Sequence, residues 1–140
     1  LAYPGMLPDS PFYKLKVLRD KITLTLKRDP IKKVEYHLLL ADKRIYMVKL
    51  LSEKNEIELA KETALKGENE YTLLVNTLKD NKIKPNKELF EKLEKASLRH
   101  QEVLSEIANK QTGENKKLYE IVIGFSKTNL EELKKIYKNY

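Results

Sequence analysis

Apolar residues recur along this chain every three or four positions, and short polar segments interrupt the pattern. Between Pro30 and Lys54 the steps of four and three connect Val34, Leu38, Ala41, Ile45 and Val48. That spacing places side chains on one face of an α-helix, which buries the face against neighbouring helices. The same pattern predicts further helices over residues 11–28, 56–79, 87–110 and from 114 onwards.

The predicted helix starts carry residues that commonly cap helices. Ser10 precedes Pro11 and Asp29 precedes Pro30. Each pair offers a side-chain acceptor for the free N–H groups of the first turn, followed by a proline that needs no N–H there. Asn86 can cap the fourth predicted helix in the same way. Since almost no linker separates the first two predicted helices, we expect them to form a tight antiparallel hairpin.

Two local features leave alternatives open. Gly67 lies on the apolar face of the third predicted helix, where it marks a close packing point or a kink, and we expect close packing. Thr128 and Glu131 have the spacing of a capping box, so the last helix either continues or restarts there. The expected fold is all-α, a single up-and-down antiparallel bundle of four to five helices over residues 1–140, with an extended proline-rich arm over 1–10.

The later helices have predicted apolar faces as well. In the fourth predicted helix the face consists of Leu89, Leu93, Ala96, His100, Val103 and Ile107. In the last one it consists of Leu118, Ile121, Val122 and Phe125, followed by Leu130, Leu133, Ile136 and Tyr137. His100 is the one polar member, and we expect it to border the core with one nitrogen hydrogen-bonded, because no second histidine is placed to share a metal with it.

Charge is the strongest bias in the composition. The 28 Lys and Arg outnumber the 21 Asp and Glu, which gives a net charge of +7. Such a charge favours acidic partners, namely nucleic acid, anionic lipid or an anionic wall polymer. Lysine dominates, however, whereas specific readers of phosphates and bases usually rely on arginine. The alternative is therefore a solvated basic surface without a specific partner.

The sequence offers little support for catalysis or metal binding. It contains no cysteine, which excludes disulfides, thiolate zinc sites and iron–sulfur clusters. Glycine-rich phosphate loops, nucleophile elbows and Glu-x-x-His pairs are also missing from it. We expect no enzyme activity, no catalytic residue, no metal and no cofactor. The numerous glutamates are expected on solvated helix faces, among them Glu53, Glu56, Glu58, Glu62, Glu68, Glu70, Glu88, Glu91 and Glu94.

A motif in the first part of the chain resembles a known family. The run from Leu7 to Lys16 reads LPDSPFYKLK, Asp20 follows four residues later, and the next helix carries Ala41-x-x-Arg44. These features are similar to the bacterial domain-of-unknown-function family 5667, whose members read Tyr-x-x-Lys-x-x-x-Glu and then Ala-x-x-Arg-x-x-Glu. The final Glu of that pattern is Met47 here, so that carboxylate is lost.

The resemblance covers roughly the first half of the chain, and it implies where the protein works. Family members are extracytoplasmic helical domains that often follow a signal or membrane segment, and no enzymatic activity is assigned to them. We therefore expect a location in the cell envelope, with any membrane anchor in a segment before Leu1. No stretch of the sequence approaches about 18 consecutive apolar residues.

The motif also suggests an ion cluster. Lys16 and Asp20 are one helical turn apart, and in a hairpin Arg44 could reach Asp20 from the next helix. We hypothesise a partly buried cluster of Lys16, Asp20 and Arg44 that fixes the register of the two helices. The alternative is a set of unrelated surface charges.

A second candidate site is a basic and aromatic surface on the next predicted helix. Its members are Lys32, Lys33, Tyr36, Lys43 and Tyr46. Such a surface can bind nucleic acid or sugar polymers, although tyrosines often pack on a neighbouring helix with only the hydroxyl in water.

Three functions remain open from the sequence. The first is a non-catalytic extracytoplasmic domain that binds or senses an anionic envelope polymer or a protein partner. The second is a basic cytosolic nucleic-acid-binding protein, and the third is an envelope stress or metal-binding bundle that acts like a chaperone.

Overall fold

The computed structural model describes residues 28–139, which form four α-helices joined by short connections. α1 spans Pro30–Glu53, α2 spans Ile57–Asp80, α3 spans Lys87–Ala108 and α4 spans Gly113–Asn139. The all-α prediction is confirmed over this part of the chain, and the predicted boundaries from residue 30 onwards agree to within two residues. The proline-rich arm and the predicted helix over residues 11–28 lie outside the described residues, apart from Arg28.

The side chains expected at helix starts form their caps. Asp29 Oδ1 accepts hydrogen bonds from the backbone N–H groups of Ile31 at 3.1 Å and Lys32 at 3.4 Å. Asn86 Oδ1 accepts from the N–H of Leu89 at 2.8 Å. Both caps satisfy donors that the first turn of a helix leaves without a partner, and they therefore fix where α1 and α3 begin.

The four helices alternate in direction along the chain, but neighbours in sequence are not always neighbours in space. α1 packs against α2 and α3, while α4 packs against the same two helices from the other side. Consecutive helices α2 and α3 are therefore diagonal, and the connection over residues 81–86 crosses the end of the bundle. The side-by-side pairs α1–α3 and α2–α4 run parallel.

The core divides into two apolar clusters that lie one above the other along the bundle. The first contains Val34, Leu38, Tyr71, Leu74, Val75, Leu78, Leu93, Leu130, Leu133 and Ile136. The second contains Ile45, Val48, Ala60, Ala64, Leu104, Ile107, Ala108, Tyr119 and Val122. Between them lie Glu68, Ser97, His100 and Ser126, all buried. We call these four residues the polar layer.

Gly67 allows α2 to approach α1 closely. A Cβ atom built on Gly67 would lie 3.0 Å from Ile45 Cδ1 and 3.3 Å from Arg44 Cβ, closer than most side-chain atoms approach each other. The close packing predicted from the sequence is confirmed.

In the first half of the last helix the predicted apolar face is confirmed at Val122, which is buried, but is wrong at Ile121 and Phe125. Ile121 and Phe125 are 45% and 55% exposed, whereas Tyr119 and Ser126 are buried. The helix is also continuous through Thr128, whose hydroxyl donates to the carbonyl oxygen of Gly124 at 3.1 Å. Because that bond reaches back one turn within the helix, Thr128 does not cap a new one. None of the described helices is both long and apolar enough to cross a membrane.

Candidate functional site

An open groove of about 460 Å³ runs between α1 and α3. It is lined by Asp42, Ile45, Tyr46 and Lys49 of α1 and by Lys95, Ala96, Arg99, His100 and Val103 of α3. Ile45 and His100 are buried, so they form part of its floor, while the exposed polar side chains form its rim. We call this feature the α1–α3 groove.

The rim of the α1–α3 groove is basic. Lys49, Lys95 and Arg99 are exposed, and none of them forms an ion pair with another residue between 28 and 139. The one carboxylate among the lining residues, Asp42, is already engaged by a histidine. Tyr46 is 63% exposed and places an aromatic ring at the same rim. The groove therefore combines three cations with one flat aromatic side chain.

His100 lies in the floor of the groove, where its contacts with Asp42 and Tyr71 hold the ring in a fixed position. Its Nε2 donates to Asp42 Oδ1 at 2.7 Å, while its buried Nδ1 has no partner among the described residues. The His100 and Tyr71 rings pack in a T-shaped arrangement with centroids 6.2 Å apart, and the Tyr71 hydroxyl donates to the carbonyl oxygen of Leu93 at 2.7 Å. The expected core-bordering histidine with one bonded nitrogen is confirmed.

The predicted basic and aromatic surface lies next to the groove. Lys32, Lys43 and Tyr46 are exposed and Tyr36 is half-buried. Their spacing of four, seven and three residues puts all four on one outward face of α1. Lys33 is also exposed but lies about 100° around the helix from Lys32. Of the five, only Tyr46 lines the α1–α3 groove.

The structure gives Arg44 a partner that the sequence did not suggest. Arg44 Nη1 donates to Glu70 Oε1 at 2.7 Å, and the other oxygen of Glu70 lies 2.6 Å from His37 Nδ1. These three residues form an ion cluster between α1 and α2. Lys16 and Asp20 lie outside the described residues, so their pairing with Arg44 stays a prediction.

Two of the glutamates that were expected mostly on solvated faces are buried instead. Glu68 and Glu70 are only 3% and 8% exposed. Glu68 follows Gly67 and lies four residues after Ala64, and Glu70 directly precedes Tyr71. Both therefore flank the apolar face of α2, and this position was the available signal. Glu70 has two polar partners, whereas Glu68 Oε2 has none among the described residues.

Residues 28–139 contain no group of three or more His, Asp or Glu side chains placed to hold a metal ion. The two histidines are each engaged by a single carboxylate, His37 by Glu70 and His100 by Asp42. Within the described chain, the basic groove is thus the feature most suited to contact a ligand through several side chains.

The comparisons with known proteins place most of the chain in one family. A family model described as "Domain of unknown function (DUF5667)" matches residues 5–114. The match includes α1, α2 and α3, and hence every residue that lines the α1–α3 groove. No curated protein and no solved structure matches the chain.

Proposed function

Because the chain belongs to the DUF5667 family, whose description names no function, we propose a function from the groove. The protein is a non-catalytic extracytoplasmic binding domain that holds an anionic polymer of the cell envelope between α1 and α3. The proposal rests on the basic rim of the groove, which Lys49, Lys95 and Arg99 surround. The one carboxylate among the lining residues, Asp42, is already bonded to His100.

The composition of the rim suits a repeating anion better than a single small one. The three cations are exposed and come from two helices, so they can contact successive charged groups of a chain laid along the groove. Lysine acts as a mobile point charge and imposes little geometry on a phosphate or carboxylate. Tyr46 offers an apolar face for the uncharged backbone of such a polymer. The expected binding is electrostatic and weakens with salt.

The location is proposed on separate grounds. It rests on the resemblance of the LPDSPFYKLK run and the Ala41-x-x-Arg44 pair to family members that work outside the cytoplasm. Fractionating the source cells and sequencing the native N-terminus by mass spectrometry tests it. Recovery in the envelope fraction supports the location, and recovery in the cytoplasm contradicts it.

The binding proposal is tested with the full chain and fluorescently labelled poly(glycerol phosphate). We expect the triple variant K49Q/K95Q/R99Q to bind about 10- to 100-fold more weakly, since each exposed contact contributes about 0.5–1 kcal/mol. The matched control K66Q/K117Q/K127Q removes the same charge from exposed positions on α2 and α4. Equal losses in both variants would show that net charge, rather than the groove, attracts the polymer.

Nucleic acid is the second candidate ligand, and the net charge of +7 favours it. A labelled DNA duplex measured at several salt concentrations distinguishes the two. Nucleic acid would replace the polymer as the proposed ligand if the protein bound DNA more tightly than poly(glycerol phosphate). In that case the slope of log binding constant against log salt concentration should be smaller in magnitude by about two to three in K49Q/K95Q/R99Q, about one for each lost phosphate contact.

A further inference from the structure

A second cleft lies on the other side of the bundle, between α2 and α4. Its volume is about 480 Å³, and it is lined by Leu65, Glu68, Asn69, Thr72 and Phe125. Leu65 is 41% exposed and Phe125 is 55% exposed, so the mouth of the cleft is apolar. Nothing in the α1–α3 groove is shared with it. We call it the α2–α4 cleft.

Glu68, which lines this cleft, carries an incompletely bonded carboxylate. Glu68 is only 3% exposed. Oε1 accepts a hydrogen bond from Asn129 Nδ2 at 2.8 Å, and the same amide group also donates to Thr72 Oγ1 at 2.8 Å. Oε2 is buried and has no partner among residues 28–139. One oxygen of this buried carboxylate therefore lacks a hydrogen-bond donor.

The groups around Glu68 do not neutralise it. The side chains that face it include the amide of Asn129 and the hydroxyl of Ser126 on α4, with Thr72 and the phenol of Tyr71 on its own helix. The polar layer also contains Ser97 and His100 of α3, and His100 is already bonded to Asp42. Among the described residues no Lys or Arg forms an ion pair with Glu68. Burial raises the pKa of Glu68 to about 7, against the smaller opposing effects of the Asn129 hydrogen bond and the nearby Ser126 hydroxyl. The carboxylate is thus poised to ionise when a cation arrives.

We propose that the α2–α4 cleft binds a primary alkylammonium group, with the ammonium on Glu68 Oε2 and its aliphatic chain between Leu65 and Phe125. A buried carboxylate is stable when it is paired with a cation that also donates hydrogen bonds, and an ammonium supplies three N–H donors. The apolar mouth favours a cation with an aliphatic stem over a free metal ion. Both a free alkylamine and a lysine side chain have this chemistry.

The proposal does not rest on the function proposed for the α1–α3 groove. A loss of polymer binding would leave it unchanged, because the two features lie between different pairs of helices. The class of ligand follows from Glu68 and its surroundings, where a cation is needed, whereas the basic groove requires an anion.

The test uses the full-length chain labelled with ¹³C at the glutamate carboxyl groups and n-hexylammonium chloride as the probe. Titration by NMR follows the Glu68 carboxyl resonance, and calorimetry gives the affinity. We expect binding at pH 8 to be about 100-fold tighter than at pH 5, because a group with a pKa of about 7 must lose its proton to hold the ammonium. The same linkage predicts that the bound probe lowers the pKa of Glu68.

Two matched controls separate the charge from the apolar surface. n-Hexanol presents the same chain without the cation, and we expect it to bind without dependence on pH. Glu68→Gln keeps the acceptor for Asn129 but cannot ionise, so hexylammonium should bind it no better than hexanol. Glu131→Gln changes an exposed carboxylate on α4 and should leave the affinity unchanged.

The source of the ammonium is distinguished by a second probe, an N-acetylated and C-amidated tripeptide Ala-Lys-Ala. Tighter binding of this peptide than of hexylammonium assigns the cleft to lysine side chains, and the reverse assigns it to free amines. Equal binding of hexylammonium and hexanol, or an unchanged affinity in Glu68→Gln, would overturn the proposal. So would the absence of any probe binding at pH 8.

Discussion

Glu70 joins α1 to α2 through one carboxylate that has two partners on the same helix. Arg44 and His37 are seven residues apart, two turns along one face of α1, and each bonds a different oxygen of Glu70. Hydrogen bonds to a charged group contribute about 1.5–3 kcal/mol when partly buried. Arg44 is partly in water, with a side chain 36% exposed, so its share lies at the lower end. The cluster therefore fixes how the two helices lie along each other.

The first prediction concerns this carboxylate. Glu70→Ala should lower the free energy of unfolding by about 2–3 kcal/mol, because it leaves His37 and Arg44 without their shared acceptor. Urea denaturation followed by circular dichroism measures the change. Glu62→Ala, at an exposed position of the same helix, is the control and should change stability by less than about 0.5 kcal/mol. Equal effects at the two positions would contradict a stabilising cluster.

Glu68 makes the stability of the fold depend on pH. Burial raises its pKa from 4.5 to about 7 in the folded protein, so the folded state favours the protonated form. The stability linked to this group is fully present below pH 4.5 and is lost as the pH rises through 7. A shift of this size corresponds to about 3 kcal/mol. The unfolded chain, in which Glu68 is solvated, does not share the penalty for ionisation.

The second prediction follows from that sign. In the absence of amines, Glu68→Gln should be more stable than the parent by about 2–3 kcal/mol at pH 8 and of equal stability near pH 4.5. Urea denaturation at the two pH values measures the difference. Glu131→Gln, which changes an exposed carboxylate, should track the parent at both. A stability difference between Glu68→Gln and the parent that is independent of pH would contradict a raised pKa.

At the scale of the helices, two glycines have opposite roles. A Cβ on Gly67 would lie 3.0 Å from Ile45 and 3.3 Å from Arg44 of α1, so these side chains would have to shift to admit a methyl group, whereas a Cβ on Gly124 would meet nothing within 4 Å. Both lie inside helices, where alanine is favoured over glycine by about 1 kcal/mol. Gly67 is buried where α2 packs on α1, whereas Gly124 is exposed.

The third prediction uses this pair. Gly124→Ala should raise the free energy of unfolding by about 1 kcal/mol, because it gains helix propensity without a clash. Gly67→Ala should lower it by about 1 kcal/mol, since a displaced Ile45 outweighs the same gain. Thermal and urea denaturation of both variants measures the changes. If Gly67→Ala stabilised the protein as much as Gly124→Ala, the side chains of α1 that face Gly67 would be shown to shift at no energetic cost.

At the scale of the whole molecule, each of the four helices contributes residues to both apolar clusters and runs past the polar layer between them. α1 contributes Val34 and Leu38 to the first cluster and Ile45 and Val48 to the second, and the other three helices divide in the same way. Separating the two clusters would require breaking all four helices at their centres. The bundle should therefore unfold as one unit although its core is interrupted.

The fourth prediction tests this cooperativity. In a urea titration followed by NMR, the methyl groups of Leu74 and Leu133 in the first cluster should share a midpoint with those of Ala64 and Val122 in the second. Far-ultraviolet circular dichroism should give the same midpoint. Two separated midpoints would show instead that the polar layer divides the bundle into independently stable halves.

The sequence by itself determined the helices, from Pro30 to the last turn of the chain, and their caps at Asp29 and Asn86. It also determined the close approach at Gly67. Each of these depends on residues within a few positions of each other, through hydrogen bonds of the first turn or the period of about 3.6 residues. The family resemblance likewise rests on short local patterns, and the match to residues 5–114 bears it out.

Only the tertiary structure decided which helices are neighbours, and it thereby formed the α1–α3 groove and the α2–α4 cleft. The parallel pairs α1–α3 and α2–α4 bring together Lys49 with Lys95, and Glu68 with Asn129, which are 46 and 61 residues apart. It also decided that Glu68 and Glu70 are buried while Phe125 is exposed. A residue at the border of an apolar face is buried or exposed according to the helix that packs beside it, and that choice is not encoded in its local spacing.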